Sequence, residues 1–302
     1  MFTDLLIHNI KATKAPLVVG LDPNLSLIPN PFKANYDLSE GALAGDGYFE
    51  TISRLFFDYN KYIIDQVMDL VPAIKPQMAY YEVLGHFGMK CLKDTIQYAQ
   101  QKGLLVILDG KRNDIASTAQ AYVEAYLVNK HHSPYISADS ITVTPFLGMD
   151  SLEPFFKVCN EDGKGLFICL KTSNPGSGDL QDKVLSNGQP LHIDMAERIH
   201  GHTKGALGKE GYSGVGVVVG ATYPGIAQQL RSILPHSFFL VPGIGFQGGD
   251  ITQIKHFFNP DGFGAVLNAS RSIMYPPAHS SVRQETITLI QTIGANLPNF
   301  GS

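Results

Sequence analysis

Eight short runs of β-branched and aliphatic residues recur along the whole chain, and their number constrains the fold more than any other feature. They begin at Leu17 (LVVGL), Val71 (VPAIK), Leu104 (LLVIL), Ser140 (SITV), Gly165 (GLFICL), Gly216 (GVVVG), Phe238 (FFLV) and Ala265 (AVL). Most are continuously apolar instead of alternating, as strands buried on both faces of a parallel sheet are. Segments of helical period separate them, at 49–70, 80–101, 115–128, 196–207, 224–234 and 282–295. Eight such units in roughly 250 residues suit a closed (β/α)8 barrel, the TIM barrel, better than an open doubly wound sheet. No composition shift or Pro/Gly/Ser linker marks a boundary, so one domain over 1–302 is expected, preceded by a short amphipathic helix at 1–11. Loop-rich stretches fall near 23–47 and 174–192. Both follow strand C-termini, where barrel active sites lie, and each reads equally as a substrate-covering loop or as a surface excursion.

The densest polar cluster sits where the third run ends, in LDGKRNDIASTA. Asp109 and Lys111 are two apart at a strand terminus and are expected to leave from one face, with Asp114 where the next helix begins. Asp114 also reads as a helix cap, and the whole cluster as a structural salt-bridge network. Against the structural reading stands Lys75, which ends the second run; neighbouring strand ends of a parallel barrel converge on one mouth. Two lysines and two acids in one site are costly to desolvate unless they satisfy one another. Such an array suits chemistry that builds negative charge on carbon, with Lys111 as proton donor and no metal or electron-sink cofactor required.

A phosphate site is the second feature. PGIGFQGGD (242–250) follows the seventh run and NASR (268–271) the eighth, the two loops with which barrels often bind phosphate. Arg271 adds a permanently charged clamp. Gly243, Gly245 and Gly248 also spell Gly-x-Gly-x-x-Gly, but after a seventh strand and without an acidic residue ~20 positions on, so a dinucleotide reading is rejected. Asp22 either binds a sugar hydroxyl or starts an Asp-Pro turn. The pairs His131/His132 and His200/His202 lack further ligands at metal-site spacing, so no metal is expected. Ser173 lacks a nucleophile elbow and reads as a hydrogen-bonding residue.

A net charge of −4, with Lys and Arg scattered, argues against a nucleic-acid partner. No apolar run approaches the ~20 residues that span a bilayer. Residues 1–11 carry Asp4 inside the apolar run and lack a basic start, unlike a signal peptide. Three cysteines without Cys-x-x-Cys spacing suit reduced thiols, and a cytoplasmic location is expected.

From about Leu17 to Tyr275 the chain resembles the orotidine 5'-phosphate decarboxylases, in particular their longer bacterial-type branch. The resemblance is carried by VGLDP, IKPQMAYYE, LDGKRNDIASTA, VTPFLGMDSL, KTSNPGSGDLQ, VVGATYP, VPGIGFQGGD and VLNASRSIMYP. It implies a carboxy-lyase that converts orotidine 5'-monophosphate (OMP) to UMP in de novo pyrimidine biosynthesis. It further implies that Lys75, Asp109, Lys111 and Asp114 form a catalytic tetrad, with Asp114 and Thr118 reaching into the partner's site of a homodimer. By the same resemblance Asp22 and Thr118 hold ribose hydroxyls, Thr172 or Ser173 contacts the pyrimidine, Gln247 and Arg271 grip phosphate, and Gly249 or Ser270 assists through backbone N–H groups. The phosphate loop GFQGGD is short beside the mobile one of the shorter branch, which leaves closure to the loop after strand five or strand one. The 3-keto-gulonate-phosphate decarboxylases and hexulose-phosphate synthases are similar at Asp-x-Lys-x-x-Asp but work with Mg2+. Lys75, KTSNPGS and PGIGFQGGD favour the nucleotide enzyme, and the intact tetrad argues against a silent nucleotide-binding barrel.

Overall fold

A computed structural model describes residues 1–39, 41, 45–128, 131–132, 134–244 and 249–297. The elements run α1 (Phe2–Thr13), β1 (Leu17–Leu21), α2 (Asn30–Lys33), α3 (Asp46–Val67), β2 (Ala73–Pro76), α4 (Ala79–Glu82), α5 (Gly85–Gln101) and β3 (Leu105–Arg112). There follow α6 (Ala116–Tyr126), β4 (Ser140–Val143), α7 (Glu153–Glu161), β5 (Gly165–Lys171), α8 (Gly178–Gln181), α9 (Leu191–Thr203) and β6 (Ser213–Val219). The chain then continues through α10 (Pro224–Ile233), β7 (Ser237–Pro242), β8 (Ala265–Ala269), α11 (Arg271–Met274) and α12 (Val282–Ala295). All eight apolar runs are strands, paired parallel in sequence order, and β1 pairs with both β2 and β8 to close the barrel.

Burial explains why the runs are continuously apolar. Val19, Leu21, Ile74, Val106 and Leu108 face outward into the larger apolar cluster, under the helices. The alternate positions Val18, Ala73, Leu105, Ile107, Phe167, Val218, Phe238 and Val266 pack together inside the barrel. The same inner cluster takes in Phe2, Leu6, Ile7 and Ile10 of α1. That helix closes the N-terminal end. Asn9 Nδ2 donates to the carbonyls of Pro72 and Gly103, just before β2 and β3, and Thr3 Oγ1 donates to that of Tyr212, just before β6.

Three connections differ from the sequence reading. The segment 80–101 is broken into α4 and α5, because Gly85 takes φ +59, which a glycine adopts without steric cost. Helix α7 covers a segment without an assigned element, and β7 and β8 are joined through a 3-10 stretch, Ile251–Phe257. Of the two loop-rich stretches, the first contains α2 and the second contains α8, with a bridge between Val184 and Pro190. No helix among the described residues is long and apolar enough to cross a membrane.

Candidate active site

With α1 sealing one end, the C-terminal ends of the strands surround a cavity of about 640 Å³ at the other. Its lining includes Asp22 beyond β1, Lys75 on β2, Asp109 and Lys111 on β3, Thr142 on β4, Thr172 and Ser173 beyond β5, and Asn268, Ser270 and Arg271 at β8. Asp109 is the centre. Its Oδ2 accepts from Lys75 Nζ at 2.6 Å and Gln77 Nε2 at 3.1 Å. Its Oδ1 accepts from Lys111 Nζ at 2.6 Å and Thr142 Oγ1 at 2.9 Å. A carboxylate offers about four acceptor positions, so this one is saturated and its orientation is fixed. Burial alone would raise the Asp109 pKa; the Lys75 and Lys111 ammoniums outweigh it and hold the carboxyl below the ordinary range. Burial likewise opposes charge on Lys75, and Asp109 and Asp22 outweigh it, so the Lys75 pKa is raised.

Asp109 and Lys111 converge as expected, though not by simple alternation along a pleat. Lys111 has φ +46, and the register of β3 against β4 shifts between Leu108 and Arg112. Left-handed backbone at a lysine costs on the order of 1–3 kcal/mol and persists only where the surroundings impose it. Here Lys111 N–H donates to Thr142 Oγ1 at 2.9 Å, while Thr142 itself donates to Asp109. Lys75 is sealed, with its side chain 5% exposed; that of Lys111 is 45% exposed and lines the cavity.

Asp114 and Thr118 do not line this cavity. Asp114 Oδ1 accepts the Ile115 N–H at 2.8 Å, and Thr118 stands exposed on the first turn of α6. Three of the four charged residues named from the sequence are therefore brought together within one chain. Gly249 requires a correction as a backbone donor, because its N–H is spent on Gly243 O at 3.1 Å. Gln247 lies outside the described residues. Thr172 is committed inside its own loop: Gln181 Oε1 accepts its N–H, while its Oγ1 accepts from Gln181 Nε2 and donates to Asn174 Oδ1. Ser173 lines the cavity beside it.

Sequence reasoning missed Gln77, Thr142 and Asn268. Thr142 and Asn268 carried a signal, since each is a polar residue in an apolar run at a position whose neighbours along the strand face outward. Asp22 Oδ1 and Asn268 Oδ1 are buried and have no hydrogen-bond partner among the described residues, so both are acceptors left for a ligand or water. Tyr275 holds the exit of β1 by donating to the Asp22 carbonyl and accepting the Asn24 N–H. No group of three His, Cys, Asp or Glu side chains suited to a metal occurs among the described residues, the two histidine pairs included.

A closed parallel barrel carrying a paired lysine–carboxylate array and an arginine at the mouth of its last strand belongs to the class of (β/α)8-barrel lyases acting on small anionic substrates. The match to known proteins is more particular. Residues 16–278 fit the family model described as "Orotidine 5'-phosphate decarboxylase / HUMPS family", and the chain belongs to that family. It is 40% identical over 279 residues to the orotidine 5'-phosphate decarboxylase of Caldicellulosiruptor bescii, covering 91% of this chain and 89% of that protein. Identity to the Rhodopirellula baltica protein of the same name is 42% over 268 residues, covering 88% and 85%. The solved Leishmania donovani OMP decarboxylase superposes with a TM-score of 0.75 at 31% identity, covering 98% of each chain.

Proposed function

We propose that this protein decarboxylates OMP to UMP in pyrimidine biosynthesis, and that the saturated Asp109 carboxylate between two ammoniums is the feature that carries the reaction. The substrate carboxylate is placed against Asp109. That carboxylate cannot turn away, because four donors hold it. Cleavage of the bond from C6 to the carboxyl carbon leaves the electron pair on C6 and releases CO2. The Lys111 ammonium stabilises the developing charge and delivers its proton to C6, and solvent at its exposed end returns the proton. Lys75 balances Asp109 and stays charged. This field is built before the substrate arrives and needs no reorganisation as the bond breaks.

The rest of the cavity fits the same substrate. The unpartnered Asp22 Oδ1 suits a ribose hydroxyl donor. Thr172 or Ser173 meets the pyrimidine, since both line the cavity where β5 ends. Arg271 serves the phosphate, with Gln247, and Ser270 stands beside it. Phosphate held far from C6 supplies binding energy that orients the reacting bond. Asp114 and Thr118 serve the site of a second copy in a homodimer. The buried free thiols of Cys91, Cys159 and Cys169 suit a reducing, cytoplasmic setting.

The test is the ultraviolet absorbance of OMP mixed with purified protein in EDTA. A fall in absorbance with UMP formed is expected, and Lys111→Ala is expected to abolish it while UMP still binds. No change in EDTA, with turnover of a sugar phosphate on adding Mg2+, would assign the protein to the metal-dependent branch of chemistry instead. Near-normal turnover by Lys111→Ala would remove that residue as proton donor.

A further inference from the structure

The last residue of β5 is a lysine that the chemistry proposed above does not use. Lys171 has a side chain 0% exposed, and its Nζ lies 2.7 and 2.8 Å from the two carboxylate oxygens of Asp182. Ser177 Oγ accepts from it at 3.3 Å, and it sits 4.3 Å from the centroid of the Tyr223 ring. Asp182 and Ser177 belong to the segment between β5 and α9, and Tyr223 to the loop between β6 and α10. One buried ammonium thus fastens two loops at the mouth of the barrel.

The dependence is asymmetric. Asp182 is 43% exposed and has His192 Nδ1 3.2 Å away, so it has water and a neighbour without Lys171. Lys171 has no such recourse. If the segment lifts, Asp182 and Ser177 leave with it, and a buried cation remains with only an aromatic face; an uncompensated buried charge is among the costliest defects a fold can carry. The lysine therefore enforces the ordered position of the segment. Gln181, adjacent to Asp182, grips Thr172 through both its side-chain atoms, at 2.9 Å each. On the other side, Gly220 donates its N–H to the Lys171 carbonyl, and a Cβ at Gly220 would stand 2.8 Å from Ser173 Cα and Cβ. The step Thr172–Ser173 is thus held between the segment and the end of β6.

We propose that Lys171 is a positioning residue, which through Asp182 latches the segment 174–190 so that the Thr172–Ser173 step meets the pyrimidine of the substrate. The inference rests on the OMP reading of the cavity. It predicts a defect confined to the base. Lys171→Met keeps length and apolar packing but removes the latch, and UMP is expected to bind roughly tenfold more weakly, one hydrogen bond's worth. Binding of ribose 5-phosphate, which lacks the base, is expected to stay unchanged. Asp182→Asn, which keeps the shape of the side chain at a half-exposed position but strands the Lys171 charge, is expected to show the same split more severely. Adding Lys171→Met to it is expected to restore part of the loss, because the stranded charge goes. A purely structural role would weaken both ligands alike and show no such recovery.

Limited proteolysis of the full-length protein supplies a readout independent of the ligand. Both single variants are expected to be cut faster within 174–190 than the wild type. Should the wild type neither turn over OMP nor bind UMP, the substrate reading fails and the cleavage rates still judge the latch. Wild-type UMP affinity in Asp182→Asn, equal loss of UMP and ribose 5-phosphate, or unchanged cleavage would each overturn the proposal.

Discussion

Four donors converge on Asp109, and removing its charge strands the buried ammonium of Lys75. Asp109→Asn, which keeps the shape, is expected to cost about 3–5 kcal/mol, as breaking a buried pair from one side does. The sign of the pH dependence follows from the depressed folded-state pKa of Asp109. A group lowered on folding contributes stability in full above its unfolded-chain value of about 4, and that stability is lost as pH falls from there through the folded value. Urea midpoints near pH 7, near pH 5 and near pH 3 should therefore show a gap between wild type and Asp109→Asn that is constant over the first two and narrower at the third. A gap that closes between the first two, or fails to narrow at the third, contradicts the assignment. The identities of Lys75, Asp109 and Lys111 were legible because they end two neighbouring apolar runs, which in a parallel barrel converge on one mouth. Of the partners that hold them, Thr142 showed only as a polar residue inside an apolar run, and its role did not show. Gln77 lies past a strand end, where spacing no longer fixes direction, and the left-handed turn at Lys111 is imposed by Thr142, 31 residues further along the chain.

Strands were more legible than helices, and burial explains the difference. A strand buried on both faces shows as an unbroken apolar run, whereas α7 buries only one face over nine residues, Phe155, Phe156, Val158 and Cys159, too short for its period to stand out. The amphipathic character of α1 was readable from sequence, but its place was not. Which surface accepts Phe2, Leu6, Ile7 and Ile10 depends on the barrel having an open end of matching size. That placement makes α1 a stability element at the pole opposite the chemistry. Leu6 is fully buried in the inner cluster, and Leu6→Ala is expected to cost about 2–5 kcal/mol, the range for a leucine truncated in a close-packed core. Chemical denaturation would read the loss, and turnover by the remaining native protein should match the wild type. Turnover that falls in proportion to the stability loss under fully native conditions would mean that the plug shapes the cavity.

At the scale of the molecule, the mouth of the barrel carries exposed apolar surface. Beside the cavity lies an apolar recess of about 540 Å³, which shares Lys111 and Thr172 with it and is lined by Pro145, Phe146, Leu180 and Met195. Phe146 is 74% exposed, and Leu147, Leu180 and Ile115 are exposed as well. Apolar side chains gathered beside an active site mark a surface that something covers. Asp114 and Thr118 do not line the cavity of their own chain, and the homodimer proposed above has each copy complete the other's site. The consequence can be measured by complementation. Asp114→Asn and Lys111→Ala, each inactive alone, place their lesions in the same site of a mixed dimer if Asp114 crosses to the partner whose Lys111 is replaced; the other site then carries neither. Randomly mixed subunits give half mixed dimers with one intact site of two, so about a quarter of wild-type specific activity is expected to return. If Asp114 serves its own chain, every site in the mixture carries one lesion. Activity that stays at the level of the separate variants, in dimers verified to be mixed, would assign Asp114 to capping the start of α6 and leave the mouth to be closed by other means.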